Sequence, residues 1–459
     1  MVLRSMIARG YFNSINARCS SIDDALNIMS DTVPREMYDY YGAGFDEGKC
    51  NKRAIADMYR KLANAVLVFA TTHCDEGFKD FPSSFDMFLD YQRDFGKEPV
   101  STNQEGDFIV FGQTHTPNLP DPINLNEKMK NMATVLKLYS PTAYARLLGI
   151  VDGSIGPQYR PLAMLAQRSE VAQPHVACSV LALKPEMTED RRAIFAKNFD
   201  NFSWLQDQTV FRDETFKGRL HTFSNTLALI PGSVFASNGY MAITVNNRFR
   251  AKELKDLEDK NVGIFPATAF VYEMASQYKT VDEVLANFSK YPIGGNYLII
   301  FMDFTGDIGA IEVTPVGKFA YRPREIENHD LPYFHATNNP PVGGQEAIWA
   351  EFQGPILELF RTSFENRYRR IEQVVDRMMD TQRGILSLQD VFKVMSDREL
   401  IPKYQKSWKP GLRKGIPVSN DHFLVTSLSS SVAVLSDDPN KQEFYGCMGC
   451  PHLGKYRKF

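Results

Sequence analysis

The chain has 459 residues, 43% hydrophobic and 23% charged, which excludes wholesale disorder and leaves room for one large core or two. Fifty-two basic against fifty-five acidic side chains give a net charge of −3, without the basic excess of a dedicated nucleic-acid binder. The longest apolar run, around Ala65 to Ala70, falls far short of the ~20 residues of a membrane-spanning helix, so a soluble protein without a membrane span is expected.

The first 22 residues carry Arg4, Arg9 and Arg18, several serines and no acidic residue, with Leu3, Met6, Ile7 and Tyr11 able to share a helical face. That resembles a mitochondrial presequence; an N-terminal arm with a chance charge bias is the favoured alternative. No secretory apolar region is present, so the expected compartment is the cytoplasm. Residues 30 to 165 read as mainly helical. Ile55, Met58, Tyr59, Leu62, Ala65 and Val66 recur at helical period within Asn51 to Thr72. Thr114 to Leu125 reads as a long loop, and Asn126 to Leu148 as a further helix. Gly42 to Gly48 has the look of a dinucleotide loop, but the spacing is off by one and no strand precedes it, so it reads as a turn approaching a helix. No repeat, Walker loop, Gly-x-Ser-x-Gly elbow or His-Glu-x-x-His motif is present.

From Val176 the texture changes. Cys178 to Leu183 and Ala193 to Lys197 read as strands joined by the charged turn Lys184 to Arg192, which is a hairpin pattern. Further short strands are expected at Thr226 to Ile230, Met241 to Val245, Tyr297 to Phe301 and Gly309 to Val313. Thr280 with Glu283, and Ser387 with Asp390, have the form of capping boxes opening Val281 to Phe288 and Val391 to Met395. A long amphipathic helix is expected from Ile356 to Asp380. Hairpins mixed with helices argue for an α+β fold, with its main seam near residue 177.

Six cysteines in a chain this long do not make a secreted disulfide framework. Cys447 and Cys450, with His452 close by, lack the ligands for a tetrahedral zinc site and read as ordinary thiols. Cys178 is different because of its company. The hairpin returns with Lys197-Asn198-Phe199-Asp200, bringing a cation and a carboxylate back towards the thiol. A nearby cation lowers a thiol pKa, and a carboxylate can orient a base. No histidine lies in the hairpin. A free α-amine at Cys178 would serve as base if the chain were cut before it.

Several motifs in order then resemble the cysteine N-terminal-nucleophile (Ntn) hydrolases of the isopenicillin-N acyltransferase type, relatives of the choloylglycine hydrolases. They are Leu147-Leu148-Gly149-Ile150-Val151-Asp152-Gly153; Ala177-Cys178-Ser179; Asn198-Phe199-Asp200; Pro231-Gly232 with Gly239-Tyr240-Met241-Ala242; Asp303-Phe304-Thr305-Gly306 with Glu312; and Thr337-Asn338. The likeness spans roughly residues 40 to 455. Two positions depart from the pattern. Lys197 stands where many relatives have Arg, and Ala236 where an Asn is common, with Asn238 two positions later as a candidate substitute.

The resemblance implies a four-layer αββα sandwich of two antiparallel sheets preceded by a helical segment. It further implies scission of the Ala177–Cys178 bond, dividing the chain into 1–177 and 178–459, which would remain together as a heterodimer. Cys178 would be nucleophile and, through its freed amine, base. Asp200 would orient the amine, Lys197 favour the thiolate, and Asn338 stabilise the oxyanion. Arg367 and Asn238 are candidate substrate contacts, with a solvated helical face the competing reading for Arg367 and its neighbour Arg370. The expected substrate is a small acyl amide or acyl thioester, hydrolysed or transferred without cofactor or metal. Two other readings compete: an uncut, non-catalytic relative with Cys178 as a core thiol, and a lysosomal lipid-amide hydrolase or phospholipase-like relative, which the sparse cysteines and missing signal disfavour.

Overall fold

The computed structural model describes residues 33–56, 100–102, 108–110, 113–115, 122–157, 160, 163–164, 167, 178–202, 208–247, 265–294, 297–314, 317–323, 332–338, 355–382, 384–397 and 425–459. The chain forms two compact units. One comprises residues 1–172, 228–231 and 251–265; the other comprises 173–227, 232–250 and 266–459.

In the first unit, α1 (Tyr38–Cys50), α2 (Pro122–Tyr139) and α3 (Pro141–Ser154) accompany a small antiparallel sheet of β1 (Val100–Thr102), β2 (Phe108–Val110) and β3 (Gln113–His115). This sheet interrupts a region whose sequence reads as helical. The helix expected at 126–148 is two helices, broken where Ser140 caps α3 by accepting from the Ala143 N–H and Pro141 supplies the first helical residue. The glycine run read as a turn lies inside α1. Its purpose is close packing. Gly44 and Gly48 of α1 face Gly149 and Gly153 of α3, and a Cβ at Gly149 would sit 2.1 Å from the Tyr41 carbonyl oxygen. Only glycine lets these backbones approach so closely. Tyr41 also donates to buried Asp152 at 2.8 Å, and Arg160 pairs with the same carboxylate. Most of the Asn51 to Thr72 helix lies outside the described residues.

The second unit holds two antiparallel sheets. The first is built from β4 (Cys178–Leu183), β5 (Ala193–Phe202), β13 (Tyr333–Ala336), β14 (Val425–Leu435), β15 (Glu443–Met448) and β16 (Arg457–Lys458), in the order β13-β4-β5-β14-β15-β16. The second contains β6 (Thr209–Glu214), β7 (Thr222–Leu227), β8 (Phe235–Ser237), β9 (Met241–Asn247), β10 (Tyr297–Asp303), β11 (Ile308–Thr314) and β12 (Gly317–Tyr321), in the order β12-β11-β10-β9-β8-β7-β6.

Strand alternation decides what each face buries. Val180, Ala182 and Phe195 of the first sheet meet Phe223, Phe235, Leu298, Ile300 and Met302 of the second in a shared core. On the first sheet's other face, Leu181, Leu183, Ile194 and Val434 pack against Ile371 and Val375 of α6 (Pro355–Thr381) and Val391 and Val394 of α7 (Leu388–Met395). The second sheet's outer face carries α4 (Ala267–Gln277) and α5 (Val281–Asn287). The order of layers is therefore helix, sheet, sheet, helix, the αββα sandwich expected from the sequence.

Both capping boxes are present, Thr280 with Glu283 and Ser387 with Asp390. The strand expected at Thr226–Ile230 instead ends at Leu227; Leu229 and Ile230 are buried in the loop that leads to Pro231 and Gly232. Among the described residues no helix is long and apolar enough to cross a membrane.

Candidate active site

Cys178 opens β4 and is paired with Phe199 of β5; two residues along, Val180 is paired with Lys197. Residues opposite each other in an antiparallel pair share a face, so Cys178 and Lys197 both project between the two sheets. Both are buried. Lys197 Nζ crosses to the second sheet, donating to the Val245 carbonyl at 2.7 Å and to Asn246 Oδ1 at 2.5 Å, and it interacts electrostatically with the Cys178 side chain on the same face. Burial lowers the Lys197 pKa, while Cys178 and Asp200 act to raise it.

The alternate residues of β5 face the helices. Asn198 donates to the Met395 carbonyl at the end of α7. Asp200, fully buried, accepts from Ser427 Oγ of β14 at 2.6 Å and lies 3.8 Å from Arg367 Nη1 of α6. Burial pushes the Asp200 pKa up to about 6, against the opposing pull of Arg367, Ser427 and Lys197.

Arg367 ties the cluster together. It donates to the Cys178 carbonyl, to Ser179 Oγ at 2.8 Å and to Asn338 Oδ1 at 2.9 Å. Neither Arg367 nor Arg370 lies on a solvated face: Arg367 is fully enclosed, and Arg370 makes a two-pronged pair with Asp397, both contacts at 2.8 Å. Asn338, just beyond β13, accepts from the Cys178 backbone N–H at 2.8 Å, and its Nδ2 donates to the Asn247 carbonyl at 2.7 Å. The arrangement fixes a thiol, a backbone nitrogen, the Lys197 amine group and the Arg367 guanidinium in a buried cluster, which suits nucleophilic attack on a carbonyl.

The structure thus brings Cys178, Lys197, Asp200, Asn338 and Arg367 together. Asn238 stands apart. At the β8–β9 turn its Nδ2 donates to the Ala275 and Tyr278 carbonyls, and its Oδ1 accepts from the Tyr240 and Met241 N–H groups. Asn246 lies five residues beyond Met241 along β9, roughly 17 Å from the turn. Gly239 completes that turn with φ of +82°. Asp303 and Glu312 also lie in structural settings: Asp303 accepts from the Val281 N–H that opens α5 and from Thr305, and Glu312 accepts from Tyr321. Ala177 lies outside the described residues.

Asn246 and Ser427 are neighbours of the cluster that sequence reasoning missed. Asn246 also donates to the Thr337 carbonyl at 2.8 Å, joining Lys197 to the segment that carries Asn338. The polar pair Asn246-Asn247 ending an apolar strand, and the serine-rich run from Ser427 to Ser431, were the available signals. At the C-terminal end, Cys447 and Cys450 form no disulfide. Cys450 Sγ lies 2.9 Å from His452 Nδ1, and burial pushes the Cys447 thiol up to about 11. Among the described residues no group of three or more His, Cys, Asp or Glu side chains is placed to hold a metal ion.

No family model and no curated protein matches the chain. Solved structures similar to it include a Caenorhabditis elegans ortholog of N-acylethanolamine-hydrolyzing acid amidase, at 14% identity and a TM-score of 0.37 over 57% of this chain and 96% of that one. A variant of conjugated bile acid hydrolase from Clostridium perfringens is similar at 11% identity and a TM-score of 0.37, over 61% and 96% of the two chains. Penicillin V acylase from Agrobacterium tumefaciens follows at 11% identity and a TM-score of 0.31, over 59% and 83%. Likeness at this level assigns neither activity nor substrate.

Proposed function

We propose that the chain is a self-cleaving cysteine amidohydrolase or acyltransferase of the N-terminal-nucleophile type, acting on a linear, non-peptide amide or thioester through an acyl-Cys178 intermediate. The observation that carries this reading is the convergence on one residue of two kinds of contact. The Cys178 side chain shares a buried face with Lys197, while the Cys178 nitrogen is held by Asn338 Oδ1. A core thiol needs neither.

In the mature form the Ala177–Cys178 bond is broken and the Cys178 amine takes the thiol proton. Asn338 Oδ1 keeps that nitrogen in place, and Asp200 supplies negative charge behind Arg367. The thiolate attacks the substrate carbonyl. Asn338 Nδ2 turns from Asn247 to the developing oxyanion; loss of one such donor typically costs ~100–1,000-fold in rate. Water or an amine then releases the acyl group. Asn238 contributes through the β8–β9 turn alone.

The test is intact-mass measurement of the protein after brief exposure to a panel of acylated amines and acyl thioesters. An acyl adduct mapping to Cys178 is expected. Adducts from thioesters but not from amides would make the protein a transferase. No adduct with any member, together with no thiol-dependent amidase activity, would leave a non-catalytic relative as the correct reading.

A further inference from the structure

Before the chain is cut, Cys178 has no amine: its nitrogen is an amide, donating to Asn338 Oδ1. The base of the mature enzyme is therefore absent from the step that creates it. Another group must take the thiol proton, and it must be able to reach the thiol.

Lys197 meets both conditions. A neutral amine has two N–H bonds and one lone pair. Its two N–H bonds match the two oxygen acceptors, the Val245 carbonyl and Asn246 Oδ1, which leaves the lone pair free for the Cys178 thiol that the strand register places on the same face. After proton transfer the ammonium has three N–H bonds for three acceptors: the same two oxygens and the thiolate. Both states keep the same two oxygen partners, so the proton can move without the loss of either. Arginine, with five donors and no acceptor, cannot occupy the first state. The charged and titratable groups around Lys197 are Cys178 on β4, Asp200 on its own strand and Arg367 on α6, while β9 offers neutral oxygens. Asp200 favours the ammonium; Arg367 and burial favour the free amine.

We propose, resting on the self-cleaving reading above, that Lys197 is the general base and then the general acid of chain scission. Its Nζ accepts the Sγ proton as Sγ bonds to the Ala177 carbonyl carbon. The same ammonium returns the proton to the Cys178 nitrogen as the C–N bond breaks. Water hydrolyses the resulting thioester, leaving the Ala177 carboxylate, the Cys178 thiol and its free amine.

The experiment follows scission of full-length wild type, Lys197→Arg and Lys197→His made by cell-free synthesis, sampled on denaturing gels from about pH 5 to about pH 9. Lys197→Arg keeps the charge and loses the acceptor, and it should cut at least ~100-fold more slowly than wild type. Lys197→His should recover part of that loss, with its pH midpoint moved towards the ~6.5 of an ordinary imidazole. Scission of Lys197→Arg within about threefold of wild type would overturn the proposal, since charge alone would then suffice. So would a Lys197→His profile with the wild-type midpoint, a readout that stands even if the arginine variant unfolds. A wild-type chain that stays whole would overturn the self-cleaving reading itself, and this step with it.

Discussion

Replacing Arg367 by Met should destabilise the second unit more than any surface change could, and the loss should depend on Asp200. Both side chains are fully buried, 3.8 Å apart. Removing one member of such a pair leaves an uncompensated buried charge, a cost of about 3–5 kcal/mol. The methionine keeps most of the apolar stem, so little of this is cavity formation. At about 2–4 °C per kcal/mol for a unit of this size, the unfolding midpoint should fall by about 6–20 °C at neutral pH. Asp200→Asn alone should cost less, because Arg367 keeps the Cys178 carbonyl, Ser179 and Asn338 as partners. In the double variant no unpaired carboxylate remains, and stability should recover by about 1–3 kcal/mol relative to the sum of the single losses. The deficit of Arg367→Met should also shrink on acidification, as Asp200 takes up a proton. Denaturant and thermal unfolding of the four proteins measure the cycle. Single losses that add within about 0.5 kcal/mol would refute the view that these two residues act as a pair.

Asp200 holds its proton to about pH 6 when folded and releases it near the ordinary 3.8 when unfolded. The folded state therefore binds the extra proton between those values, and stability falls as pH rises through the window, by at most about 3 kcal/mol. Comparing unfolding of wild type and Asp200→Asn from about pH 4 to pH 7 should show this slope in wild type alone. Asp303→Ala removes the carboxylate that holds the Val281 N–H and Thr305, and should cost about 2–4 kcal/mol in unfolding free energy. Gly149→Ala places a Cβ against the Tyr41 carbonyl and should cost about 1–3 kcal/mol or more in the first unit, whereas Gly218→Ala, with nothing within 4 Å, should show only the strain of its +76° φ. Limited proteolysis within residues 33–157 reports the Gly149 effect directly.

What the sequence disclosed, and what it hid, divides by distance along the chain. The β4–β5 hairpin, the capping boxes of α5 and α7 and the span of α6 are encoded within a few residues, and they are found where expected. The glycines of α1 are not decodable alone. Their meaning lies in α3, a helix about a hundred residues away, and without it they read as a turn. The same holds for the site. Lys197 and Asp200 were legible because the hairpin returns them to Cys178. Asn246 reaches Lys197 over 49 residues, Arg367 reaches Cys178 over 189 and Ser427 reaches Asp200 over 227, and no local spacing signals such pairings. Asn238 was attractive by offset from a motif, yet both ends of its amide are committed to backbone partners at the β8–β9 turn.

The most direct measurement is the N-terminal sequence and intact mass of the purified wild-type protein beside Cys178→Ala. Two pieces are expected in wild type, one of them beginning at Cys178, and a single uninterrupted polypeptide in the variant. A wild-type enzyme that turns over amide or thioester while residues 177 and 178 remain joined would contradict this expectation.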